Sequence, residues 1–527
     1  MRLSLKKHWL LSLVMVLCLL LLAACGSEPA ADNADPGAAQ GDAVAELPDT
    51  VIAGVSADPP YFAPDAAGNQ VAQVIYTNIY NRLVELTDDG EYVNQLAESY
   101  EVSEDGLDYT FHLRQGVTFH NGQPFTAEDV QYTLDRYAQT STIGVYFTNY
   151  ESTEIVDEYT CIVHYSAPYS GVDGCLFSIR GSNILDKTTC EELGVDMNTE
   201  PIGTGPFKYV DRVSGDKITL ERYEEYWGEK PQYKNLIFKV VTDTNSAAIA
   251  LESGEIDCMY QITITEKENI QSNPELAWYD VLSSAVLFCR ISMVDEITSD
   301  VRVRQAIQCA VDKQGLIDIV AEGEGIPATV LFSPAGSGYP EDFPDVERDV
   351  EKAKALLAEA GYPDGLTLSV ICSQERPVYY AVAQALQGQL AEAGIDLKLD
   401  VMDAATMFDR AGMHDYQLYV SQEALTAKDN NTLVYRNYHS DYIANNGPNQ
   451  VEWNNPEADA LLDAMVSELD VAKRTEICRQ FSELVQQDVP AVPLYYYYYF
   501  FAANSKLQGI ELTKTLILDC STWYWTE

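Results

Sequence analysis

Apolar and polar residues alternate through Tyr109-Thr110-Phe111-His112-Leu113-Arg114, the period of a strand with one buried face. Arg114-Gln115-Gly116 then turns the chain, Val117-Thr118-Phe119 predicts a second short strand, and Asn121-Gly122 is a turn dipeptide. Thr126, with Asp129 three residues on, predicts the capped start of a helix through Leu134. Thr50 to Val55 reads as a buried strand, and Val74 to Val84 as a helix running into a strand. Short strands and helices alternate over 131–200. The Gly-Thr-Gly of Pro201-Ile202-Gly203-Thr204-Gly205-Pro206 then forces a reversal ahead of a strand from Phe207. A helix over 244–252 returns to a strand near Gly254-Glu255-Ile256-Asp257.

The pattern repeats further on. Val303, Ala306, Ile307 and Ala310 form one helical stripe. A helix from Val350 ends at Gly361, as a C-cap prefers. Strand 366–372, loop 373–377, helix 378–393 and strand 395–401 make a strand–helix–strand unit. Strands alternating with helices throughout predict an α/β sheet, and the unit over 366–401 reads as a second α/β lobe. A crossing to that second lobe is expected near 283–292, with a return near Ala491-Val492-Pro493-Leu494. Tyr495 to Tyr499 then places alternate tyrosines on two faces of one strand.

At 527 residues the chain exceeds one ordinary core. Its formal charge is −48, or −51 once Arg2, Lys6 and Lys7 leave with a leader. Such a surface repels nucleic acid and anionic headgroups, and it favours cationic or zwitterionic partners or serves solubility alone. The leader has a basic n-region and an apolar run, Leu10 to Leu22, too short to span a membrane comfortably. Residues 26–47 carry almost nothing large and apolar and read as a flexible tether. Eleven cysteines leave nine in the body, none in a Cys-x-x-Cys or zinc-like spacing. No metal and no cofactor are expected. Cys309 and similar residues in apolar runs read as core, and Cys161, Cys175 and Cys190 lie close enough in sequence for one disulfide.

The string 96–130, LAESYEVSEDGLDYTFHLRQGVTFHNGQPFTAEDV, resembles a signature of the peptide/nickel branch (family 5) of extracytoplasmic solute-binding proteins, the receptors of ABC importers. Pro201 to Lys208, Glu221 to Gly228, Leu236 to Val241 and Asp300 to Lys313 continue the resemblance over nearly the whole chain. Leu22-Ala23-Ala24-Cys25-Gly26 resembles the lipobox of bacterial lipoproteins, in which cleavage precedes the cysteine and its thiol and new amino end carry lipid. An ordinary cleaved signal or an uncleaved anchor is the other reading of that stretch. The resemblance implies a two-lobed periplasmic-binding-protein-like clamp of the class II type, with an additional small subdomain in the first lobe. The boundaries are a signal peptide over 1–24 and a tether over 25–47. Lobe I takes 48–80, 200–283 and 493–527, its small subdomain 81–199, and lobe II 284–492.

Closure of such a clamp buries a solute between the lobes and lets a permease distinguish the loaded form. The resemblance therefore implies a lipid-anchored extracytoplasmic monomer that hands a small molecule or short peptide to an ABC permease and its ATPase. Tyr61 and Phe62, after Pro59-Pro60, line the crevice in that family or else cap the core. Arg376, ahead of a helix N-terminus, is placed to meet a carboxylate or to pair with Glu375. Tyr379, Tyr419, Ser421 and Glu423 complete the expected binding set. Peptide-binding members carry a Trp and then an Asp for the peptide amine in the region 418–432. Here Ser421 and Ala424 stand near those positions, and Glu423 is the nearest acid. A sugar, an opine-like compound or a metal chelate is thus a competing solute, although the histidines show no clustered spacing. An enzyme is the rival class, and no Gly-x-Ser-x-Gly, His-Glu-x-x-His or P-loop pattern supports it. A lipoprotein sensor or chaperone on the same fold is the other rival.

Overall fold

The computed structural model describes residues 47–527 apart from 67–69, 88–90, 141–142, 171–175, 178–181, 426–428, 445 and 516. The leader, the tether and Cys25 lie outside the described residues. Eleven described strands make one mixed sheet: β1 Thr50–Val55, β2 Phe207–Val213, β3 Lys217–Arg222, β4 Asn235–Val240, β5 Cys258–Tyr260, β6 Leu276–Ile291, β7 Gly325–Pro327, β8 Leu366–Cys372, β9 Ile395–Val401, β10 Leu418–Ala424 and β11 Ala491–Asn504. They follow the order β9-β8-β10-β6-β11-β5-β1-β4-β3-β2, with β7 also on β11.

Two strands run through both lobes. The first half of β6, Leu276 to Leu282, pairs with Tyr498 to Asn504, and its second half, Val286 to Arg290, pairs with Ala491 to Tyr496. Between the halves the register slips, and an extra stretch at a slip bends a strand and sharpens its twist. Buried Ser283 and Ser284 sit in the slip: Ser283 Oγ accepts the Ala285 N–H at 3.2 Å, and the Ser284 N–H donates to Lys514 O at 2.8 Å. The bend divides the sheet into lobe I, with β1 to β5, and lobe II, with β7 to β10. β1 lies between β5 and β4 and is parallel to both.

Alternation decides which side of lobe II each residue serves. Leu287 and Cys289 of β6 face one core with Leu418, Val420 and Leu494, while Val286 and Phe288 face another with Phe332, Trp453 and Phe481. The tyrosine run is divided in the same way, Tyr495 entering the first of these cores and Tyr496 the second.

A second sheet of four strands, in the order Ala97–Val102, Asp108–Leu113, Thr160–Tyr165, Tyr150–Asp157, forms the small subdomain with the helix Ala127–Ala138. Asp129 accepts the Thr126 N–H at 2.8 Å and closes that helix start. Val117 to Phe119 makes only an isolated bridge, Thr118 to Pro124, in place of the expected strand. Gly203 and Gly205 pack against the backbone of Ile79, where a Cβ on either would lie 2.2 or 2.6 Å from the carbonyl oxygen. The Gly-Thr-Gly reversal is therefore a close-packed seam. Cys161 and Cys190 are free thiols, and Cys175 lies outside the described residues. Among the described residues no helix is long and apolar enough to cross a membrane, and no group of His, Cys, Asp and Glu is arranged to hold a metal ion.

Candidate functional site

β10 lies antiparallel to β6 with Phe288 opposite Ser421 and Arg290 opposite Tyr419. Residues directly opposite point to the same face, and so do residues two apart. Tyr419, Ser421 and Glu423 therefore share one face with Phe288 and Arg290. Arg290 organises that face: Nε donates to Ser421 Oγ at 3.0 Å, Nη2 to the Glu423 carboxylate at 2.8 Å, and Nη1 to Pro448 O at 3.4 Å. Its side chain is 3% exposed, against 35% for Glu423. The guanidinium also lies over the Phe288 ring, 5.3 Å from the centroid. Burial works against its charge, yet the Glu423 carboxylate and the surrounding tyrosines hold its pKa above the ordinary value.

The Arg290–Glu423 pair forms part of the wall of a cleft of about 380 Å³ between lobe II and the small subdomain. Tyr146, Thr148 and Tyr169 of the subdomain face Asn431, Tyr435 and Arg436 across it. The two walls touch at one end. The Ser170 N–H donates to Val466 O at 2.9 Å, Ser170 Oγ donates to Met465 O at 3.3 Å, and Asn431 Nδ2 donates to Ser170 Oγ.

The expected site residues fall into three groups. Tyr419, Ser421 and Glu423 come together as described, and Tyr379 packs into the small cluster of Ile371, Met407, Tyr416 and Tyr419. Burial pushes the Tyr419 hydroxyl up to about 12 and raises that of Tyr379, so both remain neutral hydrogen-bonding groups. Arg376 is exposed at the start of the helix Pro377–Glu392, its guanidinium 4.9 Å from the centroid of the Phe408 ring. The considered pairing with Glu375 is not formed, because that carboxylate accepts the Ala404 N–H at 3.0 Å.

Phe62, open between the crevice and the core, takes the core position. It is wholly buried in the core of lobe I and the small subdomain, 5.7 Å from Tyr209 between ring centroids and 5.6 Å beneath the Arg212 guanidinium, so it caps the core and has no surface for a ligand. Tyr61 is half-buried against the same core. Arg290 itself was not singled out from the sequence, although a lone charge in the apolar run Val286-Leu287-Phe288-Cys289-Arg290-Ile291 signals a buried partner.

Comparison with known proteins adds to this geometry. A family profile described as bacterial extracellular solute-binding proteins, family 5 Middle, matches residues 91–445. The chain is 27% identical over 464 residues to the glutathione-binding protein GsiB of Salmonella paratyphi A, covering 85% of this chain and 88% of the relative. Among solved structures it is similar to the ABC transporter-associated periplasmic binding protein DppA of Helicobacter pylori in complex with the peptide STSA. There the TM-score is 0.80 and the identity 25%, over 91% of this chain and 99% of that one. It is also similar to AgaA of A. tumefaciens R10 in complex with agropinic acid, at TM-score 0.77 and 27% identity, with the same coverage.

Proposed function

The chain belongs to the bacterial extracellular solute-binding proteins, family 5, and from that membership we propose that it is the substrate receptor of an ABC importer, capturing a peptide or peptide-like solute by closure of its lobes. The observation that carries this reading is the cleft wall made by Arg290, Ser421 and Glu423 where β6 leaves the bend at Ser283-Ser284. One of the two strands that build the hinge also carries the cleft's buried cation, so closure and contact with a solute are mechanically linked. GsiB is named for glutathione and DppA was solved with a peptide, which supports a peptide-like solute. The loaded receptor then delivers its solute to a permease and ATPase in the membrane.

A second solute class has a specific observation in its favour. Arg290 already occupies both Ser421 and Glu423. A ligand amine approaching Glu423 thus meets a carboxylate whose charge is largely neutralised, unlike a free carboxylate awaiting a peptide N-terminus. A non-peptide solute such as an opine fits that arrangement, and AgaA was solved with agropinic acid. We assign Cys25 as the lipid attachment site, with the tether holding a monomeric receptor outside the cell membrane. Catalysis forms no part of this reading.

The deciding experiment is to purify the protein natively, denature it, and identify released small molecules by mass spectrometry. Peptides of defined length support the first reading and an opine, sugar or chelate the second. Absence of any released or added ligand in a broad solute screen refutes both. Metabolic labelling with a fatty acid tests the anchor: label lost in Cys25→Ser supports it, and label retained overturns it.

A further inference from the structure

Three charged side chains line the cleft among the described residues, Arg290, Glu423 and Arg436. The first two are paired with each other. Arg436 is different. It is half-buried on the last turn of the helix Asn431–Tyr438, and it makes no hydrogen bond or ion pair among the described residues. Its guanidinium stacks over the Tyr442 ring, 5.6 Å from the centroid, and that ring packs edge-on against Tyr435 of the cleft wall. Stacking uses the face of a guanidinium and leaves its edge of N–H donors for a planar anion.

The bulk charge sharpens the point. The chain has 81 Asp and Glu against 33 Lys and Arg, so acidic partners for a cation are abundant. A half-buried arginine that has taken none of those among the described residues, on the wall of a cavity, leaves the described lining with a net charge of +1 in a protein of formal charge −48. The protein's overall field repels anions at long range, but screening limits it to roughly 8 Å at physiological salt, inside which a local cation prevails.

We propose that Arg436 is the anion anchor of this cleft and that the solute it takes carries a carboxylate received by that guanidinium. The assignment rests on the receptor reading above and deepens it by fixing one chemical group of the ligand. A bidentate guanidinium–carboxylate contact positions the solute against Tyr435 and the subdomain wall, and it forms only when the solute is present. A merely structural role is the competing account, since a cation in the last turn also complements the helix dipole.

The test uses the full chain, freed of bound solute by partial unfolding and dialysis. It is offered an equimolar mixture of di- and tripeptides, or the same mixture amidated at every carboxyl group, and retained species are counted by mass spectrometry after gel filtration. The wild type is expected to retain the acids at least tenfold over the amides. Arg436→Gln should lose that preference about tenfold and Arg436→Lys should keep part of it, with unchanged melting temperatures. Equal retention of acids and amides by the wild type, or a preference intact in Arg436→Gln, overturns the anchor while the receptor reading stands. A lowered melting temperature with preference intact assigns Arg436 to the helix end and also overturns it. Retention of neither mixture by the wild type refutes the peptide-like solute, and the anchor with it.

Discussion

Replacing Arg290 by Met keeps much of its apolar stem and removes three donors at once. Ser421 Oγ loses a partner at 3.0 Å, Pro448 O a weak one at 3.4 Å, and the Glu423 carboxylate its counter-ion at 2.8 Å. Breaking a fully buried ion pair from one side costs about 3–5 kcal/mol, because a charge remains without compensation. Glu423 is about a third exposed, so water recovers part of that loss, and we expect about 2–3 kcal/mol. Adding Glu423→Gln to Arg290→Met removes the carboxylate that has lost its guanidinium and should return about half of the loss. A chain with two lobes does not unfold in one step, so the assay must report on lobe II. Hydrogen exchange of the β10 amides, Leu418 to Ala424, measures the local opening free energy there. If Arg290→Met changes that exchange by less than about 0.5 kcal/mol, or if the double variant is less stable than the single, Arg290 is not the residue that holds this face together.

The contacts of Ser170 with Met465, Val466 and Asn431 join the subdomain to lobe II, so Ser170→Ala should weaken the closed form by about 1 kcal/mol; small-angle scattering would show a larger open fraction, and an unchanged radius of gyration would refute a latch there. Phe62→Ala removes a buried ring from lobe I and should cost about 3–5 kcal/mol in a lobe I exchange signal with ligand affinity unaltered, whereas lost affinity in a stable variant would restore Phe62 to the site. His120 is held neutral, its pKa lowered to about 4 chiefly by burial, with Nε2 3.0 Å from Gly205 O and Nδ1 accepting the Gly203 N–H at 3.3 Å. Between that value and the ordinary 6.5 the unfolded chain binds the extra proton, so stability should fall as pH drops from 6.5 to 4, by up to about 3 kcal/mol; His120→Gln should flatten that slope, and an unaltered slope would refute the linkage.

What was legible in the sequence and what was not divides along the range of the interactions. The unit of strand 366–372, helix 378–393 and strand 395–401 is set by periodicity, by Pro377 at the helix start and by Gly394 just past its end, and β8, the helix Pro377–Glu392 and β9 follow it within a residue. Period two also places Tyr419, Ser421 and Glu423 on one face before any partner is known. Local pattern does not say what that face meets. Arg290 lies 131 residues from Ser421 in sequence, and only the pairing of β6 with β10 brings them together. Phe62 was left open for the same reason: aromatics after two prolines suit a crevice loop as well as a core, and Tyr209 and Arg212, which enclose its ring, arrive from a strand about 150 residues later. Arg436 has no local signature at all, since a cation ending a helix is ordinary. Its meaning comes from a partner not found among the described residues: in a chain so rich in carboxylates, an arginine with no ion pair there, on the wall of a cleft, is a cost the fold carries for an anion supplied from outside.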